Sequence, residues 1–86
     1  MTEYDVEGFR EWLGKKYVPD TAAKYLKVIT RAAELGVAFE ELKTLDAKQV
    51  YVLTHGPGVA SKSTYWNYRS GVSSYEQYLD YKERNK

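Results

Sequence analysis

The sequence predicts an all-α domain, a small bundle of four main helices. Three observations carry that prediction. Apolar residues recur at three- and four-residue steps in successive segments, which is the stripe a helix buries. No segment alternates apolar and polar residues for more than a few positions, so no strand is legible. And 86 residues without a cysteine must be held by packing, since neither a disulfide nor a thiolate metal site is available.

The first helix is predicted over residues 5–16, where Phe9, Trp12 and Leu13 form an apolar stripe, with Phe9 and Trp12 in the core. The second opens on Pro19, Asp20 and Thr21 and runs to Leu35, with Tyr25, Val28, Ile29, Ala32 and Leu35 on its buried face and Gly36 as the residue just past its end. Residues 37–45 carry Phe39, Leu42 and Leu45 without a start signal and read as a packed connection able to hold one helical turn. Asp46 followed by Gln49 is a capping-box pattern, which starts a short helix carrying Val50 and Leu53. Thr54-His55-Gly56-Pro57-Gly58 is a cluster of helix breakers and reads as a loop. The last helix is predicted from an N-cap at Ser61 to Lys82, with Tyr65, Tyr68, Val72, Tyr75 and Leu79 buried and residues 83–86 frayed. Gly71 shares its buried side. A glycine inside a helix costs about 1 kcal/mol relative to alanine, so another helix is expected to pass close to it. Residues 1–86 read as one domain, with no repeat and no internal linker.

Hydrophobic residues at 43% and charged residues at 29% are ordinary for a globular chain. No apolar run approaches the roughly 20 residues that cross a bilayer, and the start MTEYDVEG is acidic where a secretory leader would be basic and then apolar. A reducing, cytoplasmic setting and no membrane partner are therefore expected. Net charge is only +1, but its distribution is uneven. Residues 15–31 hold Lys15, Lys16, Lys24, Lys27 and Arg31 against Asp20 alone, and residues 50–75 hold Lys62 and Arg69 with no acid. Residues 1–14 and 32–49 are net acidic. If the basic segments are neighbours in space, the domain has one basic side; scattered solvating charge is the plainer alternative.

Catalysis is weighed by elimination. The one histidine, His55, lies among glycines and a proline and reads as an exposed loop residue. Glu40 and Glu41 are adjacent and point to different sides of any regular element. His55-Gly56-Pro57-Gly58 lacks the residues of a phosphate loop. No catalytic residue, metal site or cofactor is expected. Binding is better served. Lys24, Lys27 and Arg31 share one helical face suited to a phosphate backbone. In the last helix Lys62, Trp66, Arg69 and Ser73 share another, with Ser63 and Asn67 beside it, a mixture of cation, hydroxyl and amide suited to a DNA groove. The alternative places Trp66 partly in the core and leaves Arg69 to solvate the helix.

The pattern resembles the N-terminal core-binding, SAM-like domain of tyrosine recombinases and phage-type integrases, over nearly the whole chain. Phe9-x-x-Trp12-Leu13 is similar to that family's first-helix motif, and Pro19-x-Thr21-x-x-x-Tyr25-x-x-x-Ile29 to the opening of its second helix. Leu42-x-x-Leu45-Asp46-x-x-Gln49-Val50 is similar to the turn before the third helix, and Ser70-Gly71-Val72-x-Ser74-Tyr75-x-x-Tyr78-Leu79 to the final helix. Val18 stands where the family has a serine cap, which leaves Asp20 or Thr21 to cap the second helix, and Arg69 stands at a commonly apolar position. The resemblance implies a domain that clamps duplex DNA for integration or recombination, with its second and fourth helices toward the DNA. It also implies a separate C-terminal domain carrying an Arg/His/Tyr strand-transfer site, other recombinase protomers as partners of the full-length protein, and a place at the prokaryotic nucleoid. No such catalytic constellation is identifiable in this chain, and the isolated domain is expected to be a monomer.

On this reading Lys15, Lys16, Lys24, Lys27 and Arg31 contact phosphates, while Lys62, Ser63, Trp66, Asn67 and Arg69 approach the groove. A reading from another class is a protein-interaction module that uses Tyr65, Tyr68, Tyr75 and Tyr78 without nucleic acid.

Overall fold

The structure, a computed structural model, describes residues 4–84. Helix α1 (Val6–Lys16) begins where the Asp5 carboxylate accepts the Gly8 N–H at 3.0 Å, satisfying one of the N–H groups that a helix start leaves open. α2 (Pro19–Leu35) has no side-chain cap. Val18 holds the cap position and Pro19 the first helical one, where its missing N–H costs nothing. Asp20 and Thr21, expected as caps, therefore lie inside the first turn. α2 stops at Gly36, whose φ of 72° is the left-handed conformation that lets its N–H reach back to the Ala32 and Ala33 carbonyls.

The connection that follows holds one turn, α3 (Phe39–Leu42). α4 (Ala47–His55) starts on the full capping box: Asp46 accepts the Gln49 N–H at 2.8 Å while the Gln49 side chain accepts the Asp46 N–H at 3.0 Å. Thr54 and His55, assigned to a loop on composition, instead complete α4. Thr54 is buried, its hydroxyl donates to the Val50 carbonyl at 2.7 Å, and its own carbonyl accepts Arg31 Nε at 3.1 Å. A helix end whose carbonyl is answered by a guanidinium can run to the glycine that breaks it. α5 (Lys62–Arg84) starts at Ser61, which accepts the Thr64 N–H at 3.3 Å. Glu83 and Arg84, expected to fray, continue the helix, with Arg84 paired to Asp80 one turn back at 3.1 Å. The fraying expected at residues 85 and 86 lies outside the described residues.

The core joins the five helices of the described residues through Phe9 and Leu13, Val28, Ile29 and Ala32, Leu42, Val50, and Val72, Tyr75 and Tyr78. Trp12 is half-buried, stacked on Phe9 at 6.1 Å between ring centroids. Leu35 departs from its predicted burial. As the last residue of α2 it carries the apolar stripe past its neighbours and is 46% exposed. Gly71 behaves as its position predicts, because a Cβ there would stand 3.1 Å from the Tyr25 carbonyl oxygen and 3.2 Å from Val28 Cβ. α2 and α5 cross at that point. Among the described residues no helix is long and apolar enough to cross a membrane.

A strap at the N-terminal side locks α1 to the far half of α5. Tyr4 donates to the Val37 carbonyl at 2.6 Å, and the Asp5 N–H donates to the Tyr75 hydroxyl at 2.9 Å. The Asp5 carboxylate accepts Tyr78 Oη at 2.5 Å and Lys82 Nζ at 2.8 Å. Lys82, then Tyr78 and the Gly8 N–H, hold the Asp5 carboxyl down at about 2, while burial pushes the Tyr4 phenol up to about 12 and Tyr78 above its ordinary value. A carboxyl depressed by folding stabilises above its unfolded value of about 3.9 and loses that contribution as pH falls through its folded value. Thermal melts should show a loss of stability between about pH 4 and pH 2, and the Asp5→Asn variant should lack that component. Asp5→Ala removes both the cap and the partner of a buried hydroxyl, and urea titration should show a loss of about 2 kcal/mol.

Candidate nucleic-acid interface

The first two turns of α5 are flanked by two shallow clefts. On the α2 side, Lys24 and Lys27 line one cleft together with Thr64, Asn67 and Tyr68. The spacing accounts for this. In α2 Val28 and Ile29 are buried, so Lys24 and Lys27 fall on the flank next to α5. In α5 Gly71 and Tyr75 face the core, so Thr64 and Asn67 fall on the flank next to α2. On the α4 side, Lys48 and Lys62 line the other cleft with Asp46, Ala47, Tyr65 and Trp66. Asp46 is occupied as the α4 cap.

Trp66 stands on the α5 ridge, where it lines the α4-side cleft, and is 63% exposed. Its indole makes no hydrogen bond and no ring contact among the described residues. Ser63 is exposed one turn before it, and Asn67 is half-buried beside it. The Tyr68 phenol, below Asn67, is pushed above its ordinary value by burial and by neighbouring Tyr51.

Five of the other cations among the described residues are ion-paired. Arg10 pairs with Glu7, Arg31 with Glu34, Lys43 with Glu40 and Glu76, Lys82 with Asp5, and Arg84 with Asp80. Lys24, Lys27, Lys48 and Lys62 are exposed and make no ion pair or hydrogen bond among the described residues. All four border the first half of α5.

Several residues placed in the DNA-facing set on sequence grounds are committed elsewhere. Arg31 spends its Nε on the Thr54 carbonyl and a terminal nitrogen on Glu34 at 3.0 Å, which ties α2 to the end of α4. Arg69 does share a face with Lys62, Trp66 and Ser73, donating to Ser73 Oγ at 3.0 Å. Its other terminal nitrogen donates to the Lys43 carbonyl at 3.3 Å and anchors the connection after α3. Lys16 sits 4.7 Å above the Trp12 ring and donates to Gln77 Oε1 at 3.1 Å. Gln77 lies 15 residues along α5 from Lys62, or about 22 Å at the helical rise. Lys15 is exposed at the end of α1, without a partner among the described residues.

Sequence reasoning passed over Lys48, because it lies in a segment of net negative charge. Its signal was its place in the first turn after the Asp46 cap, where the side chain must stand at the rim of α4. Of the tyrosines that an interaction module would use, Tyr75 is 2% and Tyr78 5% exposed, while Tyr65 and Tyr68 are half-buried and pack against the Tyr51 ring at 5.2 and 4.9 Å. Compared with known protein families, characterised proteins and solved structures, the chain finds no match.

Proposed function

We propose that this domain binds duplex DNA non-catalytically, as a clamp module of a tyrosine recombinase or integrase, with the first half of α5 toward a groove and its flanking lysines on the phosphates. The observation that carries this reading is the grouping of Lys24, Lys27, Lys48 and Lys62 around one helix, all without a carboxylate partner among the described residues. Unpaired ammonium groups on neighbouring elements suit a polyanion, whose binding gains from the counterions each contact releases. Thr64 and Asn67 add a hydroxyl and an amide to the same cleft, groups that can donate to phosphate oxygens and both donate to and accept from base edges. The motif resemblance in the four helical segments adds the recombinase context and the expectation that strand transfer belongs to a separate domain.

One small module makes few contacts, so binding should be weak and steeply dependent on salt. The double variant Lys24→Ala/Lys27→Ala should lower affinity for random-sequence duplexes about equally on every sequence. It should also flatten the slope of log affinity against log salt by about 1.8, two phosphate contacts at about 0.9 each. Both side chains are exposed, so the melting temperature should not move. A fluorescence-anisotropy titration at several salt concentrations measures the slope; an unchanged slope removes both lysines from the interface.

A further inference from the structure

We infer that Trp66 is a stacking platform for an unpaired nucleobase, so that the interface favours DNA with an extrahelical or unstacked base over fully paired duplex. The inference deepens, and rests on, the nucleic-acid reading above. The two tryptophans are used in opposite ways. Trp12 is packed between Phe9, Tyr78 and Tyr81 and covered by the Lys16 ammonium. Trp66 projects from the α5 ridge, 63% exposed, and its ring meets no other aromatic ring and no ammonium group among the described residues.

The surroundings specify what can fill that place. An aromatic face attracts a second aromatic ring or a cation. Lys62 lies one turn before Trp66 on the same helix and Lys48 lines the same cleft, while Lys24 and Lys27 border the other side of the ridge. A cationic ligand is repelled by these four ammonium groups. The neighbouring carboxylate, Asp46, is held as a helix cap. What remains is an aromatic ring carried on an anion, which describes a nucleotide. Within a paired duplex the faces of the bases are covered by their neighbours and only their edges reach the grooves. The indole can therefore stack only on a base that has left the stack, while lysines on both sides of the ridge hold the phosphates around it.

The test uses a random-sequence duplex and the same duplex with one bulged thymidine, titrated by anisotropy against the native chain, Trp66→Ala and Trp66→Phe. The native chain should favour the bulged duplex by about tenfold, the range of one base stacked on an aromatic side chain, and its tryptophan emission should be quenched by the bulged duplex alone. Trp66→Ala should abolish the preference, bringing the two affinities to a ratio near one, and Trp66→Phe should recover part of it. Equal affinity of the native chain for the two duplexes, with paired-duplex binding intact, overturns this inference and leaves the duplex reading standing. So does a preference that survives in Trp66→Ala. No binding to either duplex overturns both.

Discussion

Replacing Phe9 with alanine is expected to remove about 3–5 kcal/mol of stability, a large part of the 5–15 kcal/mol a domain possesses. Phe9 is fully buried, and its ring centroid lies 5.0 Å from Tyr75, 5.7 Å from Tyr78 and 6.1 Å from Trp12. Removing it opens a cavity lined by large aromatic rings that cannot close over the gap without leaving their own partners. Tyr75 is held by the Asp5 N–H and Tyr78 by the Asp5 carboxylate, so neither can swing inward freely. The loss should lower the melting temperature by at least about 12 °C for a domain of this size. Phe9→Leu, which keeps most of the volume, should cost less than about 1.5 kcal/mol. A Phe9→Ala protein that melts within a few degrees of the native one would contradict the packing described.

Gly71→Leu is the second large effect, for the opposite reason. The α2 backbone passes so near that even a Cβ would sit 3.1 Å from the Tyr25 carbonyl oxygen, and a leucine has no room beyond it. Overpacking of this kind costs about 1–3 kcal/mol, and because a rigid carbonyl is among the atoms met, the upper end is expected, near 3 kcal/mol. Gly71→Ala sets two terms against each other. Alanine gains about 1 kcal/mol of helix propensity and spends it pushing α2 outward by a few tenths of an ångström, so its stability should be close to native. Urea denaturation of the three proteins separates these outcomes, and a native-like Gly71→Leu would show that the helices are not in close contact. Because the same crossing sets the distance between Lys24 or Lys27 and Asn67, Gly71→Leu should weaken duplex binding even where it remains folded.

The helices were legible in the sequence because their boundary signals are local. Asp46 with Gln49, Pro19 and Gly36 each act within one turn, and the structure places them as their spacing implies. Thr54 and His55 were misassigned because the residue that completes their helix, Arg31, is 23 positions away and composition cannot see it. The same limit applies to the candidate interface. A tally of charge along the chain marks Lys24, Lys27 and Lys62, yet it counts Arg31 and Arg69 equally, though both are turned to backbone carbonyls of other segments. Lys48 is counted there within a net acidic segment, while in space it lines a cleft with Lys62. Gly8 carried no signal at all, although a Cβ there would collide with the Tyr78 hydroxyl and the Asp5 carboxylate.

The strap at Asp5 also bears on the order in which the chain assembles. Its bonds to Tyr75, Tyr78 and Lys82 enclose 70, 73 and 77 residues of chain, whereas α1 with α2 and α4 with α5 meet across short connections. Closing a long loop is entropically dearer than closing a short one, so the sequence-adjacent helix pairs dock early and the strap latches onto a nearly finished bundle. Contacts made after the rate-limiting barrier slow escape from the native state without hastening arrival. The penalty of Asp5→Ala should accordingly fall on the unfolding limb of a chevron plot, which makes this latch a determinant of how long the domain stays folded once it has formed.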